Sequence, residues 1–170
     1  MEASSPRISK SVSWSTVIMV ALGFWLSGSL IFDFLIVPGM LTTGMMSESG
    51  FASAGYVIFG TFNHIELLCA ATVLAGCLVY RFGDCFNQRV SYKSVLTATA
   101  LLSIALVYTY IFTPQMSSAG MSLDVFATAA PAVSTTMTVM HIAYWSLELV
   151  KLAFAATLLR TFFRSSCSLV

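Results

Sequence analysis

Residues 14–41 read "WSTVIMVALGFWLSGSLIFDFLIVPGML" and contain a single charged side chain, Asp33. A helix that crosses a bilayer needs about 20 mainly apolar residues. The stretch is too long for the apolar region of a secretory signal peptide, which has roughly 7–15 residues, and it lacks an A-x-A cleavage site. We therefore predict a retained transmembrane helix here.

Three further stretches of the chain have the same apolar character, at about residues 56–80, 92–113 and 135–162. Of the 170 residues, 58% are hydrophobic and 9% are charged, whereas a soluble domain carries about 25% charged residues. Lipid can cover so much apolar surface, and a soluble fold of this length cannot. The predicted fold class is all-α: one integral membrane domain, residues 1–170, formed by a multi-pass four-helix bundle in a lipid bilayer.

Lysine and arginine predict how the helices are oriented. Seven of the eight basic residues lie before the first helix, between the second and third, or at the end of the fourth: Arg7, Lys10, Arg81, Arg89, Lys93, Arg160 and Arg164. Because cytoplasmic loops of membrane proteins are enriched in Lys and Arg, we predict that both termini are cytoplasmic. The net charge of +1 and the lack of a basic run argue against nucleic-acid binding.

The two halves of the chain share a pattern. Pro38–Met45 reads "PGMLTTGM" and Pro114–Met121 reads "PQMSSAGM". His64 follows the first proline by 26 positions and His141 follows the second by 27, and "CAATVL" in the second helix resembles "FAATLL" in the fourth in a shifted register. This similarity predicts a tandem repeat of two helical hairpins, related by an axis along the membrane normal. The alternative is chance similarity between apolar segments.

Small residues four positions apart predict where helices approach each other closely. Gly23 and Ser27 form such a pair in the first helix, and Ala71 and Ala75 form one in the second. Pairs of this kind let helix backbones come together in membranes.

Seven polar or charged side chains inside the predicted helices form the candidate site: Asp33, Asn63, His64, Glu66, His141, Glu148 and Lys151. Ionisable residues at membrane depth face the bundle interior, pair with one another and mark functional sites. Asn63 and Glu66 share a helix face, His64 points away from Glu66, and Lys151 can pair with Glu148. The alternative is that these groups only hold the helices together by hydrogen bonds.

His64 and His141 are also candidate ligands of a cofactor. As paired axial ligands they would hold one haem b between the second and fourth helices. The other candidate is copper, because thioethers suit Cu(I) and methionines lie at the predicted outer ends of helices and in the outer loops. These methionines, which apolar packing would also explain, are Met40, Met45, Met46, Met116 and Met121. No catalytic residue is predicted, because the chain has no nucleophile–base pair, phosphate loop or complete metal motif.

Three short motifs carry a resemblance to a known family: W-x-x-G at Trp25–Gly28, F-x-x-x-x-x-P at Phe32–Pro38 and F-x-x-x-N at Phe59–Asn63. Over about residues 22–75 the chain resembles small four-helix membrane proteins built on a domain of unknown function, whose animal members are TMEM-type proteins linked to drug resistance. The wording "FASAGY" and "NHIELLCA" resembles a cyanobacterial branch, which implies a plasma or thylakoid membrane. In architecture and histidine placement alone, the chain is similar to copper-resistance D-type and haem-binding oxidase families.

Three functions are open at the level of the sequence. The first is an accessory, assembly or interaction protein of a larger membrane complex or homo-oligomer, favoured by the short loops and the lack of a catalytic motif. The second is a small transporter or permeation pathway for a metal, a proton or a small solute, favoured by the acids and histidines at membrane depth. The third is a haem-binding redox protein.

Overall fold

The computed structural model describes residues 14–43, 51–82, 90–118 and 135–167. Nearly all of these residues are helical, and none of them lies in a β-strand. They form four long helices, which confirms the predicted all-α class.

Two of the helices are interrupted by a π-helical turn. Helix α1 consists of an α-helical part, Trp14–Ile31, a π-helical turn, Phe32–Ile36, and a second α-helical part, Val37–Thr42. The other interrupted helix is α3, and it follows the same plan. Its parts are the α-helix Tyr92–Val107, the π-helical turn Tyr108–Phe112 and the α-helical residues 113–118.

Helices α2 and α4 are uninterrupted and span Phe51–Phe82 and Thr135–Cys167. All four helices contain a segment that is long and apolar enough to cross a membrane. Their outward faces carry large apolar side chains, among them Phe24, Phe34 and Leu68, which are all more than half exposed. This surface is suited to lipid, and it supports the prediction of a multi-pass membrane bundle.

The four helices surround one core in the order α1, α2, α3, α4. Helix α1 packs against α2 and α4, and α3 packs against the same two helices, so that α2 and α4 lie diagonally opposite each other. The Ser15 amide, at the start of α1, donates to the hydroxyl of Tyr80, near the end of α2. We call this end of the bundle, where α1 and α3 begin, the terminal end, and the opposite end the loop end.

The half of the core near the terminal end is apolar. Its buried residues come from all four helices and include Ile18, Val73, Leu101 and Leu158. The tightest approach of α1 to α2 is at Gly76, where an added Cβ would lie 2.6 Å from Cγ1 of Ile18. Only glycine fits here without displacing a buried side chain.

The close contacts predicted from other small residues are wrong. A Cβ added at Gly23 would meet nothing within 4 Å, and Ser27 is exposed. Ala71 and Ala75 are exposed as well, because both lie on the outward face of α2. Spacing alone places small residues on one stripe of a helix but does not determine which stripe faces a neighbour.

Each π-helical turn ends two residues before one of the two prolines of the repeated pattern. The amide of Val37 bonds the carbonyl of Phe32, and the amide of Thr113 bonds that of Tyr108. Pro38 and Pro114 follow and cannot donate a backbone hydrogen bond. The wider turn lets the helix continue past the proline, which explains why α3 reaches residue 118 rather than ending near 113.

Candidate functional site

The half of the core near the loop end is polar. Its buried polar side chains come from all four helices: Ser29, Asp33, Asn63, Glu66, Thr109, Thr113, Glu148 and Lys151. Glu66 and Lys151 lie close to the middle of the membrane-spanning segments Ser53–Phe82 and Thr138–Ser165. The polar half therefore extends from the middle of the bundle towards the loop end.

One oxygen atom of Glu66 accepts three hydrogen bonds. Its Oε1 atom receives the Trp25 indole N–H at 2.8 Å, the Ser29 hydroxyl at 2.9 Å and the Lys151 ammonium at 2.5 Å. Two of these donors come from α1 and the third from α4. A carboxylate this deeply buried, at 1% exposure, is stabilised only by donors and charge of this kind.

Lys151 connects the two helices that lie diagonally across the bundle. Its Nζ atom contacts Glu66 on α2 and, at 2.7 Å, Oε1 of Glu148 on its own helix. The same ammonium group lies 5.3 Å from the centre of the Tyr108 ring on α3, which adds a cation–π contact. Since Lys151 is only 2% exposed, its charge is balanced by protein groups.

Asp33 completes the group of charged residues. Its carboxyl group, on the π-helical turn of α1, lies at the level of Glu148 on the neighbouring helix α4, and the two acids interact electrostatically. Two consecutive residues of this turn, Phe32 and Asp33, are buried. We refer to Asp33, Glu66, Glu148 and Lys151 together as the charge cluster.

The charge cluster contains three carboxyl groups and one ammonium group. Several buried acceptor atoms in and beside it have no hydrogen-bond donor among the residues that the structure describes: Asp33 Oδ2, Asn63 Oδ1, Glu66 Oε2 and Glu148 Oε2. Buried polar atoms of proteins are nearly always paired. The excess of acceptors indicates that the cluster can take up a proton or a hydrogen-bond donor.

Asn63 forms the side of the polar half that faces α3. Its amide nitrogen donates to the hydroxyl of Thr113 at 2.6 Å, and Thr109 donates to the backbone carbonyl of Ala105. As the sequence predicts, Asn63 and Glu66 both face the interior, and Lys151 pairs with Glu148.

His64 lies on the opposite face of α2. Its side chain is exposed, and its Nδ1 atom lies 2.6 Å from the carbonyl oxygen of Gly60. The imidazole lies in a shallow groove on the outer surface, lined by Tyr56, Val57, Gly60, Thr61, Ile65 and Leu68. His64 therefore points away from the charge cluster, as its spacing from Glu66 predicts.

The structure does not support paired histidine ligation across the core. His141 is half-buried on α4, whereas His64 faces outward from α2. Because His64 points out of the bundle, the two imidazoles do not face a common space between α2 and α4.

The copper interpretation gains no support from the described residues. Among them, no three His, Cys, Asp or Glu side chains are arranged to hold a metal ion. Met40 and Met116 are half-buried near the loop end. The remaining three of the five methionines, Met45, Met46 and Met121, lie outside the described residues.

Three side chains that contact the charge cluster, Trp25, Ser29 and Tyr108, were not among the predicted site residues. Trp25 and Ser29 bind Glu66 directly, and the spacing of Trp25, Ser29 and Asp33 by four residues gives the signal that finds them. Tyr108, which donates its hydroxyl hydrogen to the Tyr144 carbonyl at 3.1 Å, has no such signal, because it lies in an apolar stretch.

Comparison of the chain with protein-family models, with curated proteins and with solved structures gave no match. The resemblance to the TMEM-type membrane family therefore stays a prediction from the sequence.

Proposed function

We propose that this membrane protein moves protons across the bilayer through its charge cluster. The observation that carries the proposal is the composition of the cluster: three buried carboxyl groups face one lysine at the middle of the bundle. Intramembrane ionisable residues form proton relays in pumps and transporters, and transporter sites lie near the bilayer midplane.

The chemistry of the cluster fits a proton better than a metal ion or a larger solute. The unpaired atoms around it are all oxygen acceptors of carboxyl and amide groups. Such atoms need a hydrogen-bond donor, and a bound proton supplies one. The described side chains pack closely around Glu66, with three donors within 2.9 Å. A proton satisfies such acceptors without requiring additional space.

The pattern of buried positions supports an internal repeat. The buried positions of α1 recur in α3 after 76 residues: 18, 22, 25, 29, 32 and 33 match 94, 98, 101, 105, 108 and 109. Those of α2 recur in α4 after 85 residues: 63, 66, 70, 73 and 77 match 148, 151, 155, 158 and 162. We infer a duplicated hairpin whose two-fold axis runs along the membrane normal.

The inferred repeat relates Glu66 to Lys151, so the ion pair lies across the two-fold axis. It also aligns "CAATVL" with "FAATLL", whereas position 141 matches Tyr56 rather than His64. The two histidines were paired by their distance from the prolines, and the inferred register does not pair them. The segment from Pro114 to the start of α4 is longer than the segment from Pro38 to the start of α2.

Proton flux into sealed vesicles tests the proposal. The purified protein is reconstituted into liposomes that contain a pH-sensitive dye, and a potassium diffusion potential drives protons inward. We expect acidification faster than in protein-free liposomes, and we expect Glu66→Gln to reduce it to the protein-free rate. The Gln variant leaves Lys151 paired with Glu148, so the buried ammonium keeps a negative partner.

Thr99→Ala is the matched control, because Thr99 is exposed and its hydroxyl bonds only the carbonyl of Val95 on the same helix. It should conduct like the wild type. Wild-type vesicles no faster than protein-free ones, or full flux in Glu66→Gln, would contradict the proposal.

A second candidate function is that of an accessory protein that packs α2 against a transmembrane helix of another membrane protein. The observation that favours it is His64, a polar side chain exposed on the lipid-facing surface of α2. Among the described residues, nothing bonds its Nε2 atom, and lipid offers no partner either. A neighbouring helix with a hydrogen-bonding side chain would provide one.

Native gel migration of the protein from its own membrane tests this second candidate. Wild type should migrate within a larger assembly, and His64→Leu should migrate alone while Thr99→Ala behaves like the wild type. Equal migration of wild type and His64→Leu would rule out a role of this surface in assembly.

A further inference from the structure

The carboxyl groups of Asp33 and Glu148 form a pair that differs from the Glu66–Lys151 ion pair. Neither carboxylate can donate a hydrogen bond, and Asp33 Oδ2 and Glu148 Oε2 are buried without a donor among the described residues. The two acids lie at the same level on the packed helices α1 and α4. Neighbouring buried carboxyl groups do not both stay ionised, and one shared proton satisfies an acceptor on each of them. Both residues are almost fully buried, at 4% and 1% exposure.

We propose that Asp33 and Glu148 bind one exchangeable proton between their carboxyl groups, and that this is the proton moved in transport. The inference rests on the proposed proton-moving function for its physiological meaning, although proton binding can be measured without transport. The step is a simple protonation: one O–H bond forms when the proton enters and breaks when it leaves, and no electron is transferred.

The position of the pair along the bundle fits a site of proton entry or exit. Asp33 lies one helical turn beyond Ser29 towards the loop end, and Glu148 lies one turn from Lys151 in the same direction. The four charged groups therefore follow one another in the order Asp33, Glu148, Lys151, Glu66. This chain leads from near the loop end to the middle of the membrane.

Lys151 provides a way to couple the pair to Glu66. Its ammonium group contacts Glu148 and Glu66 at the same time. Loss of the shared proton leaves an additional negative charge beside Glu148, which draws the ammonium towards that side and weakens its contact with Glu66. Return of the proton reverses the change.

The groups that face the pair come from every helix packed against it. Helix α1 contributes Asp33 itself, α2 contributes Glu66, α3 contributes the Tyr108 hydroxyl, and α4 contributes Tyr144 besides Glu148 and Lys151. Only Lys151 among them is a base, so the described surroundings provide a single positive charge for three acids. One shared proton reduces the remaining charge of the cluster from two negative units to one.

Infrared spectroscopy of the full-length protein in lipid tests the inference. A protonated carboxyl group has a carbonyl stretch that a carboxylate lacks, and this band shifts in heavy water. We expect one such band in the wild type at neutral pH, its loss as the pH is raised, and its absence in both Asp33→Asn and Glu148→Gln. Glu48→Gln, which changes an acid between α1 and α2, should keep the band.

Circular dichroism tests whether each variant keeps its helices. We expect that it does, because Asn and Gln have nearly the same shape as Asp and Glu. A band that persists in both Asp33→Asn and Glu148→Gln, or a wild type without the band at any pH between neutral and acidic, would overturn the inference.

Flux measurements on the same samples separate the two proposals. If Asp33→Asn loses the infrared band and the wild type conducts no protons, the proton site stands and the transport function falls. If the wild type conducts and Asp33→Asn conducts equally well, transport stands and the assignment of its proton to this pair falls. Loss of both the band and the flux in Asp33→Asn supports both proposals.

Discussion

Glu66 shows how a charged residue is stabilised in the middle of this bundle. Three donors from two other helices meet at one of its oxygen atoms, and one of them, the Lys151 ammonium at 2.5 Å, has a full positive charge. Isolated charges in a medium of low polarity are very unfavourable, and paired ones are tolerated when hydrogen bonds complete the pairing. The stability of the bundle therefore depends on keeping the pair intact.

Removal of Lys151 should be strongly destabilising. Lys151→Met leaves Glu66 and Glu148 without a positive partner, and loss of one member of a buried pair costs about 3–5 kcal/mol. Thermal unfolding in detergent, followed by circular dichroism, measures the change. Lys93→Met, at an exposed position, is the matched control and should unfold like the wild type. A small and equal effect of both substitutions would show that Lys151 does not balance the acids.

The indole of Trp25 should matter through its N–H group. Trp25→Phe keeps the ring but removes the donor to Glu66, and a hydrogen bond to a charged group contributes about 1.5–3 kcal/mol. The expected result is a lower free energy of unfolding, whereas Trp145→Phe, at a position that is 40% exposed, should change it little. Equal effects of the two substitutions would contradict the assigned hydrogen bond.

At this scale, sequence reasoning finds the contacts that lie within one helix. The pairing of Lys151 with Glu148 and the shared face of Asn63 and Glu66 follow from spacings of three residues. The contact of Glu66 with Lys151 does not, because these residues are far apart in sequence and meet only through the order of the helices around the core.

At the scale of the helices, the two π-helical turns are the main departure from regular structure. Each π-helical turn has two consecutive buried residues. In α1 these are Phe32 and Asp33, so the turn contributes one apolar and one acidic side chain to the core. Prolines in the sequence indicate an interruption at these positions, but they do not reveal that the helix widens and continues.

Packing of α1 against α2 depends on the absence of a side chain at Gly76. In Gly76→Ala, the new methyl group would overlap with Ile18, and such overpacking costs about 1–3 kcal/mol. Gly23→Ala, where nothing lies within 4 Å, should instead be neutral or stabilising by up to about 1 kcal/mol. The unfolding midpoints of the two variants measure the difference.

A double variant tests directly whether Gly76 and Ile18 are in contact. In the double variant Gly76→Ala/Ile18→Ala, the methyl group gains space, so the two substitutions should cost less together than the sum of their separate effects. Strictly additive effects would show that the two residues are not in contact.

At the scale of the whole molecule, the sequence predicts the number of helices but not their order around the core. Four apolar stretches are enough to predict four membrane-spanning helices, because length and hydropathy decide this directly. Their order around the core is not encoded in any local pattern. It decides that α2 and α4 are diagonal, and hence which polar residues meet.

The orientation in the membrane is testable with the cysteines of the chain itself. Cys85 lies between α2 and α3, and Cys167 lies at the end of α4, on the side that the distribution of Lys and Arg predicts to be cytoplasmic. An impermeant thiol reagent applied to intact cells should label neither, but should label a Ser47→Cys variant between α1 and α2. Labelling of Cys85 or Cys167 from outside would contradict the predicted orientation.

The central claim is that the charge cluster conducts protons and does not merely join helices. Proton flux in liposomes through Glu66→Gln tests it most directly, because the neutral amide oxygen can accept the same hydrogen bonds and leaves Lys151 paired with Glu148, so that the helices stay joined. We predict a folded protein, by circular dichroism and thermal unfolding, whose flux falls to that of protein-free vesicles. A folded Glu66→Gln variant with wild-type flux would contradict the claim and leave the ion pair with a structural role alone.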